Sequence, residues 1–152
     1  MIRLRTTITG LALAGVLAAC GGSGSEADTT PAVRITSLKV MGDSLADIGT
    51  FGLRFTVQGS DSLTYPERVG LAYGLGQGCN FFAFTGTTFV PNSTAGCTNY
   101  AVGGGVINGP ASGLVPADPR IISVQLATAT AAGNFGANDL LLIDGGGNDA
   151  AT

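Results

Sequence analysis

The tetrapeptide Gly42-Asp43-Ser44-Leu45 follows directly on an apolar run and sets a serine on a turn that glycine permits. Attack on a carbonyl carbon needs such a hydroxyl held clear of its neighbours, beside N–H groups that bind the oxygen as it becomes negative. Asp43 is suited to bond neighbouring backbone and hold the loop, although Gly-Asp-Ser also makes an ordinary β-turn. Two later stretches, Asn99-Tyr100-Ala101-Val102-Gly103-Gly104-Gly105 and Asp144-Gly145-Gly146-Gly147-Asn148-Asp149, again carry polar groups on glycine turns. They offer backbone N–H groups and a side-chain amide as further donors. The sequence has no histidine, so the usual general base is missing. Without an imidazole to orient, none of Asp43, Asp47, Asp144 or Asp149 serves as a triad acid.

Taken in order, the three stretches resemble the first three blocks of the SGNH/GDSL hydrolases. Gly42-Asp43-Ser44-Leu45-Ala46-Asp47 is similar to the first block, and the resemblance makes Ser44 the nucleophile and one oxyanion donor. Asn99-Tyr100-Ala101-Val102-Gly103-Gly104 is similar to the second, which assigns a backbone donor to Gly104, or to Gly103 one residue earlier. Gly146-Gly147-Asn148-Asp149 resembles the third and makes the Asn148 amide the third donor. The resemblance implies a three-layer α/β sandwich with a mainly parallel, flavodoxin-like sheet. It further implies acyl transfer to water through an acyl-serine, with no metal or cofactor. Substrates in the family are acyl lipids, short-chain and aryl esters, and acetylated glycans. The family's fourth block, an Asp-x-x-His, has no counterpart. The expectation is a domain incomplete at its C-terminus, truncated before that block; the alternative is a non-catalytic, lipid-anchored binding protein on the same scaffold.

These residues need elements to position them. Residues 33–41 read as a buried strand delivering Gly42, and a helix is expected within 61–75, with Val69, Ala72 and Tyr73 on its apolar face. Residues 76–96, rich in Gly, Thr, Asn and Phe, read as an insertion loop. Its Phe81, Phe82, Phe84 and Phe89 suit either an apolar acyl site or simple packing. Residues 99–102 read as a short strand. Residues 123–132 read as a helix with Val124, Ala127 and Ala131 on one face, and 140–143 as an unbroken apolar strand. Three strands each ending in a polar glycine turn is the repeat of a βαβ sheet. A second Gly-x-Asn-Asp, at Gly136-Ala137-Asn138-Asp139, precedes the 140–143 strand and so falls at the opposite edge of the sheet from Ser44. Asn148 follows that strand and falls on the same edge.

At 152 residues, with 45% hydrophobic content, the chain suffices for one domain. Seven Lys and Arg against ten Asp and Glu leave a net charge of −3, too few cations for a phosphate-binding face, which excludes a nucleic-acid partner. Arg3 and Arg5 precede an apolar stretch, residues 8–19, too short to span a bilayer. Leu17-Ala18-Ala19-Cys20 resembles the bacterial lipoprotein cleavage box, which implies removal of residues 1–19, lipidation of Cys20 and a membrane partner. Residues 20–32 then form a flexible tether and 33–152 the hydrolase domain. The expected location is the outer membrane as a lipoprotein, or the periplasm or exterior. Of three cysteines, lipidation of Cys20 leaves Cys79 and Cys97 to pair in an oxidising compartment. Replacing Cys20 with Ser is expected to abolish metabolic lipid labelling; labelling that survives the change places the anchor elsewhere.

Overall fold

The computed structural model describes residues 33–59, 61–133 and 135–151. The expected signal segment, Cys20 and the tether lie outside the described residues. The protein is an α/β fold built on a parallel strand pair. Strand β1 spans Ser37–Met41 and β4 spans Asp139–Ile143, in register from Ser37 opposite Asp139 to Met41 opposite Ile143. The strand is shorter than residues 33–41 because its partner begins at Asp139; upstream, Thr36 N–H donates to Asn138 O at 2.9 Å. Lys39 and Asp139 face each other at this end in an ion pair of 3.1 Å.

On its other side β1 meets the 98–102 segment, also parallel. Val40 N–H donates to Thr98 O (3.0 Å), Tyr100 N–H to Val40 O (2.7 Å) and Val102 N–H to Gly42 O (3.1 Å). This segment bridges Val40 only at Asn99 and in turn bridges Asn80, so the short strand expected at 99–102 is an irregular ladder. The first strand is therefore internal, with the second crossover on one side and the third on the other. Such a reversal opens a crevice beyond the carboxyl end of the central strand, which is where α/β sheets bind ligands. Ser44 lies three residues past that end.

Helix α1, Tyr65–Ala72, starts at Thr64 with Pro66 in its first turn. Its buried residues are Pro66, Glu67 and Gly70, whereas Ala72 and Tyr73 of the expected apolar face are exposed and Val69 is only half-buried. Glu67 is buried because it is fully paired. It accepts from Thr64 N–H (2.8 Å) and Thr64 Oγ1 (2.9 Å), and it forms a two-point ion pair with Arg54. Gly70 is buried because a Cβ there would collide with the Gly76 carbonyl. Helix α2, Ile122–Ala132, likewise buries Ile122, Gln125 and Ala129 in place of the expected Val124, Ala127 and Ala131. Its sequence is apolar nearly all round, so amphipathic periodicity carries no information and the partner of Gln125 sets the face.

Two buried clusters flank the sheet. Met41, Tyr100, Val102, Ile122 and Ala129 form one with Phe82, and Val40, Ala46 and Ala101 form the other against Leu38 and Leu142. The stretch expected to be a loop carries a hairpin, β2 Phe82–Phe84 against β3 Phe89–Pro91. Three-residue strands are marginal alone. The Cys79–Cys97 disulfide closes the hairpin's base, and Phe84 N–H ties its tip to Thr50 O at 2.8 Å. Cys97 and Phe82 are buried, so the cross-link sits against the core. Closing a loop of sequence separation 18 constrains the unfolded chain by roughly 3 kcal/mol. The double change Cys79→Ala, Cys97→Ala should lower the unfolding free energy by about that amount in a denaturant titration; an unchanged midpoint would contradict it.

Candidate active site

The turn after β1 is held by bonds to almost every backbone group in it. Gln125, fully buried, accepts from Gly42 N–H through Oε1 (2.7 Å) and donates from Nε2 to Gly42 O (3.0 Å) and Pro119 O (2.9 Å). Asp43 N–H donates to Asp144 Oδ1 at 3.1 Å. Asp43 in turn accepts from Leu45 N–H on Oδ1 (2.9 Å), and its carbonyl takes Ala46 and Asp47 N–H. A Cβ on Gly42 would displace the Asp144 carboxyl that Asp43 N–H binds. Between these anchored positions, the Ser44 N–H and hydroxyl have no protein partner among the described residues, and the side chain is half-buried.

The second glycine stretch shows the same selectivity. Gly103 N–H donates to Asp47 Oδ2 (2.8 Å) and Gly105 N–H to Val102 O (2.9 Å). Gly104, exposed with φ of 79°, keeps a free N–H among the described residues. Of the two glycines left open, Gly103 has its N–H spent on a buried carboxylate, whereas that of Gly104 stays available. Asp47 also accepts from Gly49 (2.9 Å) and Thr50 (2.8 Å), so one fully buried carboxylate ties the Ser44 turn to the glycine turn. Asn99 Nδ2 adds a bond to Ala46 O (2.8 Å). Gly105 packs so closely that a Cβ would stand 2.7 Å from Gly42 O and 3.0 Å from Asp43 Cα.

The third stretch opens helix α3, Gly147–Ala150. Asn148 donates from Nδ2 to Gly105 O at 2.8 Å, which sets its amide at the glycine turn with a second N–H to spare. A Cβ on Gly147 would lie 3.9 Å from Asp43 Oδ2. Asp149 gathers Ile107 N–H (2.9 Å) and Asn108 N–H (2.7 Å), and these bonds hold its carboxyl below the usual range. Ser44, Gly104 and Asn148 thus belong to three turns packed on one another at the carboxyl end of β1 and β4. Asn138 lies at the other end, exposed and bonded to Arg34 O at 2.6 Å.

Sequence reasoning missed Gln125 and the role of Asp144. Nothing local marks a glutamine in an apolar helix as a clamp; only its polarity among apolar neighbours hints at one. Asp144 is more unusual, because its Oδ2 is buried without a hydrogen-bond partner. Burial pushes the Asp144 carboxyl up and the Asp43 charge adds to this, while the bond from Asp43 N–H and the nearby Tyr65 hydroxyl oppose it. The Tyr65 phenol is raised as well, by burial first and then by the Asp144 and Asp43 charges.

Two hollows flank these turns. One of about 230 Å³ lies between α1 and β1, against Leu38, Val40 and Pro66, and none of Ser44, Gly104 and Asn148 lines it. The other, about 580 Å³, is bordered by Gly103 and Gly104. Of the four phenylalanines singled out above, Phe84 and Phe89 line this second cleft, whereas Phe81 and Phe82 stack on Tyr100 at 4.6 and 6.4 Å. Comparison with protein-family models, with curated proteins and with solved structures finds no match to the chain.

The raised Asp144 carboxyl has a consequence for stability. Its folded pKa lies above the unfolded value of about 3.9. Its contribution to stability is complete below the unfolded value and is lost as pH rises through the folded one. Asp144→Asn keeps the Oδ1 acceptor for Asp43 N–H and removes the ionisation. Thermal unfolding followed from roughly pH 4 to 7 should show the variant gaining on the wild type as pH rises. A constant difference across that range would reject the assignment.

Proposed function

We propose that this chain carries the nucleophile and the oxyanion-binding groups of a serine ester hydrolase of the SGNH/GDSL type, on a three-layer α/β scaffold. One observation carries the reading. In turns where the N–H groups of Gly42, Asp43, Leu45, Gly103 and Gly105 are all consumed, those of Ser44 and Gly104 are spared. Spared donors on turns packed against each other, one of them carrying a serine hydroxyl, match what a developing oxyanion needs. Ser44 Oγ attacks the ester carbonyl carbon and its proton passes to a base. The carbonyl oxygen, now negative, takes hydrogen bonds from Ser44 N–H, Gly104 N–H and the spare Asn148 amide hydrogen. Collapse expels the protonated alcohol, and water then releases the acid from the acyl-serine.

The base is proposed to be an imidazole supplied from outside this sequence, which contains no histidine. That same fact favours a second reading, a lipid-anchored protein that binds an ester or glycan through the same N–H groups without turning it over. Attachment through Cys20 would hold either form at a bacterial envelope membrane. Hydrolysis of a reactive aryl ester by the complete gene product separates the two. There Ser44→Ala should reduce turnover to near background, a loss of up to about 10⁶. Asn148→Ala should cost roughly 10²–10³ in kcat, and Asn138→Ala, at the opposite end of the sheet, less than about threefold. The assignment of the third block is wrong if Asn138→Ala is the damaging change.

A further inference from the structure

We propose that Tyr65 and Asp144 are a positioning pair for Ser44: the phenol sets the Asp144 carboxylate, and the carboxylate sets the backbone from which the serine attacks. The part played in attack rests on the hydrolase reading; the pair itself rests on geometry. Asp144 N–H donates to Met41 O at 3.2 Å, which anchors the residue where β1 and β4 end together. Its side chain crosses to the neighbouring turn, where Oδ1 accepts Asp43 N–H at 3.1 Å in the room that Gly42, without a Cβ, leaves for it. Oδ2 is buried and has no hydrogen-bond partner among the described residues. A buried carboxylate oxygen without a donor is costly, and a native site normally supplies one.

Helix α1 brings the donor. It packs on β1, where a Cβ on Gly70 would lie 3.7 Å from Leu38 Cδ2, and it runs back along the strand. At 1.5 Å per residue, Tyr65 therefore stands about 7 Å nearer than Gly70 to the carboxyl end of the sheet, the end that carries Asp144. The bonds of Thr64 and Arg54 to Glu67 fix the start of the helix, and with it the backbone of Tyr65. A tyrosine ordinarily buries its ring and leaves its hydroxyl in water. Tyr65 is 38% exposed, yet its hydroxyl is turned in among carboxylates: burial raises the phenol first, then the charge and the bonding of Asp144, then the charge of Asp43. So raised, it keeps its proton and serves a carboxylate only as a donor. It stands beside Asp144 short of a full bond to Oδ2, which a small rotation of the ring completes. Asp43, on the Ser44 turn, and Tyr65, on α1, are the titratable groups that act on Asp144. Burial and the Asp43 charge favour the neutral acid, whereas Asp43 N–H and the phenol favour the anion. The anion is the stronger acceptor for Asp43 N–H. Asp43 precedes Ser44, and its Oδ1 takes Leu45 N–H at 2.9 Å, so weakening that acceptor loosens the chain on both sides of the serine.

The test reads the pair and the chemistry separately. Tyr65→Phe keeps the ring and removes the donor to the anion, so the Asp144 carboxyl, followed by its carbon resonance, should titrate about one pH unit higher than in the wild type. The amide resonances of Asp43 and Ser44 should shift with the same midpoint. In Asp144→Asn, which keeps the Oδ1 acceptor, they should lose that step. In the complete gene product, the ratio of Tyr65→Phe to wild-type kcat for 4-nitrophenyl acetate cancels the titration of the base. It should lie within about twofold of unity near pH 8 and fall roughly two- to tenfold near pH 5, with KM held within about twofold. Adding Tyr65→Phe to Asp144→Asn should change nothing further, since the phenol acts through the carboxylate. A carboxyl midpoint indifferent to Tyr65→Phe, amides that do not follow it, a kcat ratio flat with pH, or a double variant worse than Asp144→Asn would overturn the pair. If the carboxyl and the amides shift together but the ester is hydrolysed at no pH, the hold on the turn stands and the hydrolase reading falls.

Discussion

A single buried amide holds the Gly42–Ser44 turn in place. Gln125 accepts from the N–H of Gly42 and donates to its carbonyl, so the backbone leaving β1 is gripped on both polar groups by a helix on one face of the sheet. Left unpaired, Gly42 N–H and C=O would each carry the desolvation cost of a buried polar group, about 1–3 kcal/mol. The grip therefore decides where the chain turns, not merely how firmly. Gly42 has no room for a side chain because Asp144 approaches from the neighbouring strand, and the same Asp144 takes the next N–H along. With both neighbours immobilised, Ser44 follows at a defined angle at the crevice.

The carboxylates act chiefly as backbone tethers. Asp47 binds the N–H groups of Gly49, Thr50 and Gly103, and Asp149 those of Ile107 and Asn108. Each joins two segments by charge-assisted bonds, which are stronger than neutral ones. Glycine does the complementary work of close approach: Gly105 packs on Gly42 and Asp43 where any Cβ would be too near. A site built this way needs few large side chains around it, consistent with a chain in which 25 residues are glycine and only 11% are charged.

How much of this the sequence discloses depends on whether the determining contact is local. The three polar glycine turns are legible because turn chemistry is written in consecutive residues, and the order of Asn138 and Asn148 about an apolar strand suffices to put them at opposite ends. The pairing of Cys79 with Cys97 is legible once the resemblance of the Cys20 box to a lipidation site sets the third cysteine aside. The helix faces are not legible. Gln125 is buried because distant groups satisfy it, and Glu67 because Thr64 caps it and Arg54 pairs with it; a periodicity argument reads each as solvent-facing. The hairpin within 76–96 is hidden for the same reason, since strands of three residues form only against Thr50 and a disulfide. Phe51 escapes notice as a cleft residue because it lies more than thirty positions from the hairpin rings, Phe84 and Phe89, that line the cleft with it.

The bonds that shape the Ser44 turn join residues far apart in the chain: Gly42 to Gln125 across 83 positions, and Asp43 to Asp144 across 101. A ribosome synthesises Ser44 early and its clamps late. Until residue 144 has emerged, the central strand lacks one neighbour and the turn has no fixed conformation. Contacts of such long range are costly in loop entropy and slow to form. The contacts that order the serine turn consequently wait on residues made about a hundred positions later. The timing of assembly is thus written into the parallel topology itself, which makes Ser44 wait on residues synthesised long after it.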